Sequence, residues 1–134
     1  MKLYHFTAAH LLDKIKLEGL TLGVIPVRFR PVKFLRPYQW LTSNPNWNQS
    51  WTDGTGSIGY PRNAYRLTIN IPGKVRRDLH NWIRFGELNV PRNVLDTLNA
   101  YGDPQNWYVF SGKVNPSWIV EIVQNPSITK DTAA

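Results

Sequence analysis

Residues 3–23, LYHFTAAHLLDKIKLEGLTLG, hold a strand, a helix and a stop in immediate succession. Leu3 to Phe6 is an apolar and aromatic run of strand composition. Thr7 is placed to cap a helix in which Ala8, Leu11, Leu12 and Ile15 follow the i, i+3, i+4, i+7 spacing of one buried stripe. Gly19 ends that helix as a residue tolerant of left-handed backbone, and Leu20 supplies the accompanying hydrophobic contact. A strand passing straight into a packed helix, in a chain broken elsewhere by many turns, predicts an α+β domain and not a helical bundle.

Working outward, the chain of 134 residues has the length of one domain, and 42% hydrophobic against 19% charged residues excludes intrinsic disorder. Residues 1–126 read as that single domain and 127–134 as a frayed tail. The absence of cysteine removes disulfide scaffolds, thiol nucleophiles and cysteine zinc sites together. No apolar run approaches the roughly 18 residues of a membrane span. With an N-terminus that reads as structure, the expected location is the cytoplasm, or the host cytoplasm for a phage-encoded chain.

Ten prolines and nine glycines divide the rest into short pieces. Prolines 26, 31 and 37 predict an extended, irregular basic segment carrying Arg28, Arg30, Lys33 and Arg36. Gln39 to Ser43 follows as a short strand. Asn44 is placed to cap a single turn presenting Trp47 and Trp51, which Gly54, Gly56 and Gly59 then end. Ala64 to Ile71 is a strand, with Arg66, Thr68 and Asn70 on one parity and Leu67, Ile69 and Ile71 on the other. Residues 74–85 fit an amphipathic helix burying Val75, Leu79, Trp82 and Ile83, and a second short helix begins at Pro91, burying Val94, Leu95 and Leu98. Trp107 to Phe110 and Trp118 to Val123 close the fold as strands.

Of the three histidines, His10 and His80 sit on predicted helices, whereas His5 lies on the first strand, two positions before a hydroxyl, as Tyr-His-Phe-Thr. A lone strand histidine is ordinarily a satisfied structural residue. No second ligand stands at metal-binding spacing from any of the three, so no metal is expected. The glycines at 54, 56 and 59 lack the helix and lysine of a phosphate loop.

The segment from Leu3 to Gly23 resembles the first motif of the histidine-bearing branches of the ADP-ribosyltransferase superfamily, where a strand carries His-x-Thr and the next helix closes on Gly-Leu. Here those residues are His5, Thr7, Gly19 and Leu20. QWLTSNPNW is similar to the following strand of such families at Leu41, Thr42 and Ser43. WYVFSGKVNPSWIVEI is similar to the late strand pair of small bacterial and phage members. The resemblance implies a mostly antiparallel split sheet with short flanking helices. It also implies NAD as co-substrate, and transfer of ADP-ribose to a protein or nucleic-acid acceptor, as in a bacterial or phage effector.

Cleaving the nicotinamide–ribose bond creates an oxocarbenium-like sugar, so such a site must bend the dinucleotide, stack its nicotinamide and place negative charge by the ribose. By resemblance, His5 hydrogen-bonds a ribose hydroxyl and Thr7 supports its orientation. Thr42 or Ser43 lines the nicotinamide pocket with Tyr38 or Trp40, and Arg28, Arg30 or Arg36 meets the pyrophosphate. The sequence departs from the family at the late glutamate. Near Trp107 it offers Asp103 and Gln105, with Glu87 and Glu121 elsewhere, so His5, Gln105 and Glu121 are the catalytic candidates. A missing anion costs a few kcal/mol of transition-state stabilisation, on the order of two to four decades in rate.

Sixteen Lys and Arg against nine Asp and Glu give a formal charge of +7, beside six Trp, six Tyr and five Phe. That pairing keeps two other functions open. One is a non-catalytic nucleotide- or nucleic-acid-binding module. The other is a small basic inhibitor whose Trp residues anchor an acidic partner protein.

Overall fold

The computed structural model describes residues 1–49 and 62–127. In chain order these form β1 (Lys2–Thr7), a 3-10 turn (Ala9–Leu11), α1 (Leu12–Glu18), β2 (Ile25–Phe29), β3 (Val32–Leu35), β4 (Tyr38–Thr42) and β5 (Tyr65–Asn70). A 3-10 turn (Gly73–Asp78) leads to β6 (Leu79–Asn81), α2 (Trp82–Asn89) and α3 (Arg92–Asn99). A turn at Pro104–Asn106, β7 (Trp107–Ser111), a turn at Pro116–Trp118 and β8 (Ile119–Gln124) complete the order. Trp51, the three glycines at 54, 56 and 59, and the tail from 128 onward lie outside the described residues.

Six strands make one sheet in the order β6-β7-β4-β1-β5-β8, every pair antiparallel, and β2 with β3 forms a separate hairpin. The α+β class and the antiparallel sheet agree with the sequence. The sheet has a seam near its middle. β1 pairs with β5 along its whole length, from Lys2 with Asn70 to Thr7 with Tyr65, but registers with β4 through one pair, Tyr4 with Thr42.

Because strand residues alternate between faces, the register assigns each side chain a layer. Leu3, Leu41, Leu67, Ile69 and Phe110 turn to one face and pack with Leu12, Ile15 and Leu20 of the α1 region. Trp107 and Val109 turn to the other face, where Ile25 of the hairpin, Trp82, Val94 and Leu95 cover them, with Trp40 packed alongside. A single sheet thus carries two apolar cores.

Several local expectations are corrected. Thr7 does not cap the first helix: its hydroxyl donates to the Ala8 carbonyl (3.4 Å), and a 3-10 turn precedes α1. Gly19 does end α1 at positive φ (79°), and its N–H donates to the Ile15 carbonyl (2.8 Å). Leu20 then pairs with Val114, tying this unit to the turn before β8.

The basic segment is a hairpin with a bulge after Pro26, not an irregular stretch, and Arg30 and Pro31 form its turn. Residues 74–85 are not one helix. A 3-10 turn ends at Asp78, residues 79–81 pair with Tyr108 to Phe110 of β7, and α2 starts after Asn81, whose side chain accepts from the Arg84 N–H. Asn44 forms a turn by accepting from the Asn46 N–H (3.0 Å), without a helix.

Candidate functional site

His5 sits at the seam. Its neighbours Leu3 and Leu67 place it on the α1 face, and its Nδ1 lies 2.9 Å from the Trp40 carbonyl of β4. A carbonyl only accepts, so Nδ1–H donates, and in the neutral ring that burial favours the lone pair lies on Nε2. The ring thereby bridges β1 and β4 just beyond their single registered pair. Burial lowers the His5 pKa below its ordinary 6.5, and the smaller effect of the Trp40 hydrogen bond opposes this.

Nε2 makes no hydrogen bond among the described residues, yet it is not one of the sealed polar atoms that lack a partner there, Arg66 Nε and Trp107 Nε1. His5 therefore presents an oriented, neutral acceptor at a half-buried position. Thr7, on the same parity, is buried.

On the opposite face the register lines up Trp107, Thr42, Tyr4, Thr68 and Glu121 in one row across β7, β4, β1, β5 and β8. Its two ends differ. At the β4 end, Thr42 Oγ1 accepts from the Asn44 N–H (3.0 Å) and Ser43 Oγ donates to Asn106 Oδ1 (3.1 Å). Asp103 Oδ2 accepts from Asn44 Nδ2 (2.9 Å) and Asn106 Nδ2 (2.8 Å).

Burial alone raises the Asp103 pKa, but hydrogen bonds from Asn106 and Asn44, with a contribution from the nearby Trp107 indole, outweigh it and leave the carboxyl below 3.8. The Trp107 N–H is close enough to favour the anion without completing a hydrogen bond of good geometry. Gln105 is exposed on the 3-10 turn beside this cluster.

At the β8 end, Glu121 Oε1 accepts from Thr68 Oγ1 (3.3 Å) and remains exposed. Three strand spacings separate it from Thr42, about 14 Å. Next to it the Arg66 guanidinium lies over the rings of Trp47 (4.9 Å) and Tyr4 (5.6 Å) and donates to the Pro45 carbonyl (2.9 Å).

The remaining predicted residues fall into the second core and its hairpin. Tyr38 packs on Phe85 at 5.2 Å. Trp40 packs on Trp82 at 4.5 Å and donates its indole N–H to the Val24 carbonyl (2.9 Å). Arg28 and Arg36 are exposed on or just after the hairpin, Arg28 donating from Nε to the Pro31 carbonyl (3.1 Å).

The structure therefore brings Thr42, Ser43 and Gln105 together. His5 and Thr7 lie on the other face, one and three residues along β1 from Tyr4, the partner of Thr42, and Glu121 and the hairpin arginines are held apart. Asp103 was named from sequence as an acidic residue near Trp107, whereas Tyr4, Arg66, Thr68 and the asparagines that hold Asp103 were not singled out as site residues. The polar parity of Arg66 and Thr68 within an otherwise apolar strand was the available signal. No group of three or more potential metal ligands occurs among the described residues. A depression of about 360 Å³ lined by Glu87, Val90, Arg92 and Leu95 shares no residue with these groups. No protein-family model, curated protein or solved structure matches the chain.

Proposed function

We propose that the chain binds NAD at the β1–β4 seam and transfers ADP-ribose to a macromolecular acceptor. The observation that carries this is His5: a neutral imidazole fixed through Nδ1 to the Trp40 carbonyl, with Nε2 left as an acceptor. A lone pair held in that way suits a ribose hydroxyl, which donates. Fixing the sugar in advance lowers the entropic part of the barrier to glycosidic cleavage. Thr42 turns to the opposite face of the sheet, so His5 is the predicted residue that would meet the sugar on the α1 side.

Calorimetry with NAD tests the first half. Binding is expected, weakened roughly three- to tenfold by His5→Ala, the usual range for one lost hydrogen bond. Absence of NAD binding would overturn the proposal. Incubation with labelled NAD and candidate acceptors tests the second half, and His5-dependent transfer of label is expected.

The separation of Glu121 from His5, on a different strand pair and the opposite face, favours a second reading in which the domain binds the nucleotide without turning it over. NAD binding with no transfer to any acceptor, and no effect of Glu121→Gln, would select it.

A further inference from the structure

The β2–β3 hairpin has an outer face that its fold does not use. Leu35 and Ile25 are paired and turn inward, Ile25 fully buried in the second core. Phe29 pairs with Val32 and Phe34 with Pro26, and these turn outward. Phe29, Val32 and Phe34 are 45%, 58% and 36% exposed, a continuous apolar face with two flat rings.

Arg30 in the turn and Arg36 after β3 flank it, while Arg28 and Lys33, of the other parity, project from the hairpin's opposite side. Arg28, Arg30, Lys33 and Arg36 are all exposed, and the whole stretch from Gly19 to Thr52 contains no Asp or Glu. The Arg36 guanidinium lies 5.7 Å from the centre of the Phe34 ring.

A second feature points to an anion. Arg28 and Lys33 stand directly opposite each other in the ladder. Like charges in that position repel and weaken a hairpin. The ion pair found among the described residues, Arg92 with Asp96, lies elsewhere, and no described carboxylate pairs with either of them. An external anion would.

We propose that this hairpin binds single-stranded nucleic acid, with Phe29 and Phe34 stacking on bases, Arg30 and Arg36 meeting phosphates beside them, and the long side chains of Arg28 and Lys33 meeting phosphates where the strand passes round the hairpin edge. Rings give sequence-tolerant stacking, and cations spaced along the strands follow a charged backbone. A duplex would keep its bases from the rings, and burying the hairpin tip in a bilayer would carry Arg30 into hydrocarbon. This proposal does not depend on NAD binding.

The test is fluorescence anisotropy of the full chain with labelled oligouridylate and oligodeoxythymidylate of about 20 nucleotides, from about 50 to 200 mM salt. Four phosphate contacts predict a slope of log K on log salt of about −3. Phe29→Ala with Phe34→Ala is expected to weaken binding about tenfold or more at unchanged slope. Arg28→Ala with Lys33→Ala should make the slope shallower by about 1.4. Arg30→Glu, a single change in the exposed turn, should weaken binding without touching the core, which guards against a double variant that fails to fold.

Comparison of the two oligonucleotides distinguishes RNA from DNA as the source. No binding, or binding indifferent to both phenylalanines, would overturn the proposal. So would Phe-dependent binding to phosphatidylserine vesicles, or to an acidic protein, without binding to either oligonucleotide. An absence of NAD binding beside intact oligonucleotide binding would refute the seam proposal alone.

Discussion

At the scale of the residue, His5 does two things at once. It closes a gap in the sheet by donating to the Trp40 carbonyl, and it holds an acceptor nitrogen in a fixed direction. Only the second requires the neutral ring, since an imidazolium donates to a carbonyl equally well, and burial favours the neutral form by lowering the pKa below 6.5. The sign of the pH effect follows. Below pH 6.5 the unfolded chain takes up a proton at this position before the folded chain does, so stability is complete above that pH. It falls as pH drops towards the folded pKa, with a slope of at most about 1.4 kcal/mol per pH unit, the limit for one proton. Urea unfolding between about pH 8 and 5, paired with NMR titration of the His5 ring, checks this. A ring that titrates at or above 6.5 in the folded protein would contradict it. Under the proposed function, NAD affinity is expected to fall with acid, because a protonated ring can no longer accept from a hydroxyl.

At the scale of the element, the glycines of the first unit and of the chain beyond β5 behave differently. Gly19 has φ of 79°, and a Cβ there would overlap the Val114 carbonyl that receives the Leu20 N–H. Gly19→Ala is expected to cost at least about 2 kcal/mol, from the strained backbone and the close approach together. Gly73 has nothing within contact distance of such a Cβ and no positive φ. Gly73→Ala should therefore fall within about 0.5 kcal/mol of the parent or stabilise slightly. Chemical denaturation of the two variants separates the cases, and equal effects would refute the distinction.

Gly19 is also where local sequence was most legible, since strand, helix and stop are each fixed by neighbours in the chain. The 74–85 segment was not, because Val75, Leu79, Trp82 and Ile83 fit a helical stripe while Leu79 to Asn81 are recruited by the edge of β7. Pairing with a strand almost thirty residues away leaves no mark on local periodicity. Asn81, a good helix cap placed just before the Trp82 to Asn89 run, was the readable hint. The hairpin was hidden by its prolines, which mark turns and edge positions as readily as irregular chain. For the candidate site, the strand parities were legible, but which strands neighbour one another was not. That order decides why Thr42 lies beside Gln105 and far from Glu121.

At the scale of the whole molecule, the two cores lie on opposite faces of one sheet, and the β1–β4 seam runs through it. Leu67, fully buried on β5, belongs to the α1-side core, and Trp82, also fully buried, belongs to the other. Because the sheet backbone is common to both, loss of one face removes the support of the other, which predicts a single cooperative transition. Leu67→Ala should cost about 2 to 5 kcal/mol through the cavity it leaves. It should lower the urea midpoint by the same amount whether followed by NMR resonances of Leu3 and Ile69 or by those of Trp82 and Val94. If the second set kept the parent midpoint while the first fell, the single Tyr4–Thr42 pair and the His5 bridge would mark a boundary of cooperativity. A nucleotide bound across that boundary would then stabilise both halves together, and NAD would be expected to restore a common midpoint.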